Sequence, residues 1–110
     1  MNNCIISGNL GQDVEVFFTT GGDPVASFSL AFKGSKKKTS WVKCVCFNKT
    51  AEIAEKYLHS GAKVLILGML NQNKWKTEDG ENRSSFEILV NSIEFIKIRN
   101  QEDSNDETPF

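Results

Sequence analysis

The sequence has little of what metal or redox chemistry needs. It holds one histidine, His59, and three cysteines, Cys4, Cys44 and Cys46, an odd number without a CxxC spacing. That set offers no zinc-ligand pattern, and buried reduced thiols are the expectation. No cofactor is expected. The longest aliphatic run, "VLIL" at 64–67, is far too short to span a bilayer. The opening "MNNCIISGNL" carries no basic leader ahead of a long apolar stretch, so no signal peptide and no membrane partner are expected, and the chain reads as cytoplasmic. Phosphate-cradling GxxxxGK[ST] is absent, and "GGD" at 21–23 is a turn. The serines and threonines have only His59 as an imidazole partner, and Glu78, Asp79 and Glu81 suit a solvated loop better than a metal site. No enzyme is expected.

What the chain does have is charge divided unevenly. Residues 1–99 carry all 13 Lys and Arg and 10 of the 14 Asp and Glu, a balance of +3; residues 100–110 carry the other four acids. A mildly basic body therefore precedes an acidic tail, which the overall charge of −1 conceals. At 110 residues the body suffices for one domain with its own core. Boundaries are expected at 1–99 for the folded domain and 100–110 for a disordered tail.

Strand signals dominate. "NCIIS" (3–7) and "VEVFF" (14–18) flank a turn-prone segment, and "TTGGDP" (19–24) supplies another turn. "VASFSLAF" (25–32) alternates, with Ala26, Phe28, Leu30 and Phe32 on one face. After the basic loop "KGSKKKTS" (33–40) comes "WVKCVCF" (41–47). One helix is predicted over 48–61, where Ala51, Ala54, Tyr57 and Leu58 recur at helical spacing, Asn48 or Thr50 can cap the start and Gly61 can close the end. "KVLILGML" (63–70) is a buried strand, 73–90 forms two strands around "TEDGEN", and "SIEFIKI" (92–98) alternates once more. A lone helix among some five strands is too little for a parallel βαβ sheet. The expected class is all-β: a five-stranded OB-fold barrel (oligonucleotide/oligosaccharide-binding) with one helix between strands three and four and a long hairpin between strands four and five.

Alternation places Trp41, Lys43, Val45 and Phe47 on one side of their strand and Val42, Cys44 and Cys46 on the other. The second set looks like core. Rings alternating with cations suit a polymer of stackable bases joined by phosphates. The alternative is that Trp41 and Phe47 pack the barrel while Lys43 reaches out to water. "NKWK" (73–76) repeats the pattern, with Trp75 between Lys74 and Lys76 and Arg83 opening the return strand. The loop lysines Lys33, Lys36, Lys37 and Lys38 would draw a polyanion toward these rings.

"GNLGQDVEV" (8–16), "SWVKCVCFNKTAEIAEKYLHSGAKVLILGML" (40–70) and "KWKTEDGENRSSFEILVNSIEFI" (74–96) resemble, in order, three motifs of the bacterial single-stranded DNA-binding proteins. The resemblance implies a non-catalytic barrel that coats unpaired DNA of the nucleoid in replication, recombination and repair, usually as a homotetramer, with a dimer as the smaller alternative. It implies base stacking by Trp41, Phe47, Trp75 and Tyr57. It implies phosphate contacts by Lys43, Lys49, Lys74 and Arg83, to which the local pattern adds Lys36, Lys37, Lys38 and Lys76. Departures are visible too: a further stacking tryptophan of the family has no counterpart, its place falling near Lys36 with Phe32 the nearest ring. Val42 stands where some relatives have a histidine, and Asn71 and Asn73 where they are often basic.

"NDETPF" (105–110) resembles the acidic, Pro-Phe-ended tip by which the family recruits DNA replication and repair proteins. A ring beside a carboxylate is a two-point ligand, so Asp106, Glu107, Thr108, Pro109 and Phe110 form the expected partner-binding tip. About ten residues separate it from the last strand, a reach on the order of 30 Å. A primosome-type OB-fold adaptor and an RNA-binding OB-fold protein are the alternative readings.

Overall fold

The computed structural model describes residues 1–97. The strands are β1 (Cys4–Leu10), β2 (Glu15–Phe18), β3 (Pro24–Lys33), β4 (Thr39–Phe47), β5 (Lys63–Lys76) and β6 (Asn82–Lys97), with α1 (Asn48–Tyr57) between β4 and β5. They form one sheet in the order β1-β5-β6-β4-β3-β2, and β1 also pairs with β3. Five strands thus make a nearly closed ring, and β2 continues the path of β1 along β3: Leu10 lies opposite Leu30 and Glu15 opposite Ser27. Counting β1 and β2 as one interrupted strand gives the expected five-stranded barrel with a helix between the third and fourth strands. Closure rests on short ladders, since β1 meets β3 only at Asn9–Ala31 and Leu10–Leu30. On the far side β4 runs parallel to β6 over three pairs, Lys43–Glu87 to Val45–Leu89.

The core follows the period-two pattern. Ala26, Phe28 and Leu30 of β3 point inward, as do Cys44 and Cys46 of β4, Val64 and Ile66 of β5, and Ile88 and Val90 of β6. Phe32 emerges half-buried, because β3 runs past the end of its ladder with β1 there. Burial pushes the Cys44 thiol up to about 12, with Cys46 adding to the effect, and burial alone does the same to Cys46.

Ala51 and Ala54 are fully buried, so α1 packs close over the barrel end and Leu58 follows into the core. The helix stops at Tyr57, short of the predicted Gly61. Leu58 turns extended to enter the core while its N–H still bonds the Ala54 carbonyl at 2.9 Å. Gly61, at φ +92°, serves the turn that follows instead. Neither predicted N-cap is used: Phe47 occupies that position without a side-chain bond, and Asn48 takes φ +54°, a conformation asparagine tolerates.

The segments predicted as separate strands at 63–70, 73–90 and 92–98 merge into two long strands paired from Lys63–Lys97 to Lys76–Asn82. Leu67 pairs with Ser92 but Gly68 with Val90, which leaves Asn91 unpaired. This extra residue changes the parity of β6, so that Ile93 and Val90 both reach the core. A side chain at Gly68 would collide with the Leu89 carbonyl at this bulge. Beyond Leu70 the pair leaves the barrel and ends in a five-residue reversal, Thr77–Glu81, with Gly80 at φ +86° and a 2.9 Å bond from Thr77 N–H to the Glu81 carbonyl. Asn2 anchors the base of this arm: its amide oxygen accepts from Leu70 N–H and its amide nitrogen donates to the Leu70 carbonyl, both at 2.9 Å.

Candidate nucleic-acid interface

Directly paired residues share a sheet face, so the register defines the outer surface strand by strand. Trp41, Lys43, Val45 and Phe47 of β4 lie opposite Ala31, Ser29, Ser27 and Val25 of β3. Lys43 lies beside Glu87 and Val45 beside Leu89, and alternation carries the same face back along β6 to Ser85 and Arg83. Arg83 pairs with Trp75, Ser85 with Asn73 and Glu87 with Asn71. Trp41, Lys43, Phe47, Trp75 and Arg83 therefore occupy one continuous outward face of β3, β4, β6 and β5.

The rings on it are open. Trp41 is 58% exposed, Phe47 46% and Trp75 49%, which decides against the alternative in which they pack the barrel. Val45 departs from its neighbours: it is buried, flanked by Ser27 and the half-buried Leu89. The Trp41 indole lies against the backbone at Gly11, where even a Cβ would strike the ring. Gly11 reaches this position because its N–H bonds the Ser29 carbonyl at 3.1 Å. The indole thus rests on the Gly11 backbone, beside β3, where the neighbouring outward residues are the small Ser29 and Ala31.

Cations gather at one end of this face. Because β4 and β6 are parallel, the two connections that precede them lie toward the same end of their strands. One is the turn at Ser35–Lys37 with exposed Lys36, Lys37 and Lys38; the other is the hairpin reversal before Arg83. Trp41 sits at this end, and Phe47 lies about 20 Å along the strand at roughly 3.3 Å per residue, with exposed Lys49 just beyond it. The one ion pair among the described residues is Arg83–Glu81 at 3.2 Å. Acidity enters at Glu87, whose Oε2 accepts from Asn71 Nδ2 at 3.2 Å.

Other predicted site residues lie elsewhere. Lys74 pairs with Ser84 and Lys76 with Asn82, so both belong to the face opposite Trp75. Tyr57 packs edge-to-face on Phe95, centroids 5.8 Å apart, with Lys56 Nζ 5.3 Å from its ring. Phe95 pairs with buried Val64, which puts Tyr57 at the helix-capped barrel end, off the face carrying the other rings. The tip residues Asp106, Glu107, Thr108, Pro109 and Phe110 lie outside the described residues.

Sequence reasoning missed Gly11, Glu87 and Phe17. Phe17 pairs with Val25, which pairs with Phe47, so a further ring, 55% exposed, borders the outward face. Register alone could have found it.

A model of the single-strand binding protein family matches residues 1–96. The chain belongs to that family. It is accordingly a non-catalytic single-stranded DNA-binding protein of replication and repair, and the outward face described above is where exposed rings and cations coincide. No helix among the described residues of this family member is long and apolar enough to cross a membrane.

Proposed function

We propose that unpaired DNA crosses the outward face of β3, β4, β6 and β5, its bases stacking on Trp41, Phe47 and Trp75. Its phosphates meet Lys36, Lys37, Lys38, Lys43, Lys49 and Arg83. The observation that carries this reading is that three half-open rings share a single outward face with Lys43 and Arg83, while the lysine turn directly precedes β4 at its Trp41 end. Stacking is sequence-tolerant because every base has a π-face, and the lysines respond to backbone charge alone. Tyr57 is assigned to packing against Phe95. The test is titration of intrinsic tryptophan fluorescence with poly-dT, in competition with duplex DNA and tRNA over a salt series. Quenching by poly-dT that duplex and tRNA relieve poorly is the expected result; quenching relieved equally by tRNA favours the RNA-binding alternative.

The folded domain, residues 1–99 in this reading, assembles as a homotetramer acting on nucleoid DNA in the cytoplasm. Support comes from Ile5, 64% exposed, paired with the half-buried Leu67 on the outward side of β1 and β5, an apolar area suited to a second copy. Light scattering tests the mass. The acidic segment 100–110 recruits DNA-processing proteins through Asp106, Glu107 and Phe110. Removing Pro109 and Phe110 should abolish recruitment while leaving DNA affinity equal or higher.

A further inference from the structure

The sheet ends at a strand whose outer edge is unused. β2 is terminal in the order β1-β5-β6-β4-β3-β2, so one of its two backbone edges has no partner strand. Thr19 N–H bonds the Asp23 carbonyl at 2.9 Å, and the register continues through Phe17–Val25 to Glu15–Ser27. Strand backbone alternates, so Glu15 and Phe17 bond β3 while the N–H and C=O groups of Val16 and Phe18 face away from it. Pro24 fits this phase: it lies opposite Phe18, where the ladder asks for no N–H.

Two open rings flank that edge. Phe17 is 55% exposed and Phe18 65%. Alternation puts Phe17 with Glu15 on one face and Phe18 with the half-buried Val16 on the other. Unpaired backbone between apolar side chains is a template for a further strand.

Charge decides which strand. Residues 1–32 hold no lysine or arginine, and their charged side chains are Asp13, Glu15 and Asp23. Lys43 lines a groove of about 210 Å³ together with Asp13 and Glu15, yet the one ion pair among the described residues is Arg83–Glu81. A second copy pairing through β2 would bring like charges together, which disfavours self-association. Phosphates are repelled for the same reason. A segment bearing lysine or arginine is attracted instead.

We propose that the free edge of β2 docks an extended, basic segment of a partner protein, which adds to the sheet as a further strand. Its backbone pairs with Val16 and Phe18, its cations lie beside Glu15 and Phe17, and its apolar side chains lie beside Val16 and Phe18. The barrel itself carries this surface, which depends neither on the acidic segment 100–110 nor on the DNA path.

The probe is a fluorescein-labelled octapeptide of alternating Lys and Val, titrated against the full chain by anisotropy. Its control is the same octapeptide N-methylated throughout, equal in charge and side chains but without backbone donors. The unmethylated peptide should bind at least about tenfold more tightly, as two or more ladder bonds require. Glu15→Lys should weaken it about tenfold and Phe18→Ala about fivefold. Affinity of Phe18→Ala for dT oligonucleotides should match the parent. Urea melts and light scattering accompany both variants, whose positions are exposed. No measurable binding of the unmethylated peptide, or equal binding of the two peptides, overturns the proposal. Parent-like peptide binding by both variants overturns it too, by placing the probe elsewhere, as on the acids of 100–110. A changed assembly mass in Phe18→Ala would make the edge a contact between copies, and a matching loss of dT affinity would make it part of the DNA path; either refutes the docking strand.

Discussion

Replacing Trp41 with alanine isolates the stacking contribution from the charge contribution and from stability. The indole is 58% exposed, so less than half of its surface helps hold the fold. Full burial of a large apolar side chain contributes about 1.5–3 kcal/mol, and the stability loss should stay under about 1.5 kcal/mol. Binding should fall by about 1–3 kcal/mol, equivalent to roughly 5- to 150-fold in Kd. The side chain carries no charge, so the slope of log K against log salt should not move. Anisotropy titrations with labelled dT at several salt concentrations measure both quantities, and urea melts measure the fold. Because Trp75 is then the one remaining tryptophan of two, residual quenching reports whether it still stacks. An unchanged Kd would refute stacking at Trp41, and a binding loss matched by unfolding would make the ring structural.

Gly11→Ala should act in the same direction as Trp41→Ala but more weakly, since its methyl strikes the indole; a double-mutant cycle should show the two losses to be non-additive. Converting Lys36, Lys37 and Lys38 together to glutamine should lower the salt slope by about 2 while leaving the urea midpoint in place, the three being fully on the surface. Deleting Asn91 removes the parity change in β6 and forces Ile88 and Val90, or Ile93, out of the core. Urea melts should show a loss above about 3 kcal/mol, whereas Asn91→Ala, which keeps the bulge, should be close to neutral. The Cys44 and Cys46 thiols are raised from 9.0 to about 12 in the fold, so the native state retains protons that the unfolded chain releases. Their contribution to stability is complete below pH 9 and falls as pH rises toward 12. In denaturant melts across that range, a Cys44→Ala, Cys46→Ala double variant should lose less stability with pH than the parent, and identical slopes would refute the assignment.

Much of the barrel was legible because burial on one side imposes alternation. Ala26, Phe28 and Leu30 declare the inner face of β3, and Ala51, Ala54 and Leu58 declare the helix stripe. Legibility ends where that constraint ends. Past Leu70 both faces of the hairpin are open to water, so no periodicity marks 71–87 as one continuous arm, and the segments looked separate. The helix end was misjudged because Leu58 is buried whether it ends a helix or begins the strand-like return. The stacked closeness of Gly11 and Trp41 joins residues 30 positions apart, a relation that no local pattern encodes.

The site was legible as chemistry but not as geometry. "NKWK" places three candidate groups in consecutive positions, and on a strand consecutive positions cannot share a face. Trp75 goes with Arg83 on one side; Lys74 and Lys76 go with Ser84 and Asn82 on the other. In a barrel wall the second side would be core, and two lysines there would be untenable. They are tolerated because the arm has already left the barrel, as the step from buried Ile88 to open Phe86 records. The lysines that looked like partners of Trp75 are thus better understood as evidence that the strand pair has two surfaces open to solvent. The bulge at Asn91 sets the parity by which Arg83 of β6 faces outward beside Trp75, whose own side follows from the unbroken alternation of β5.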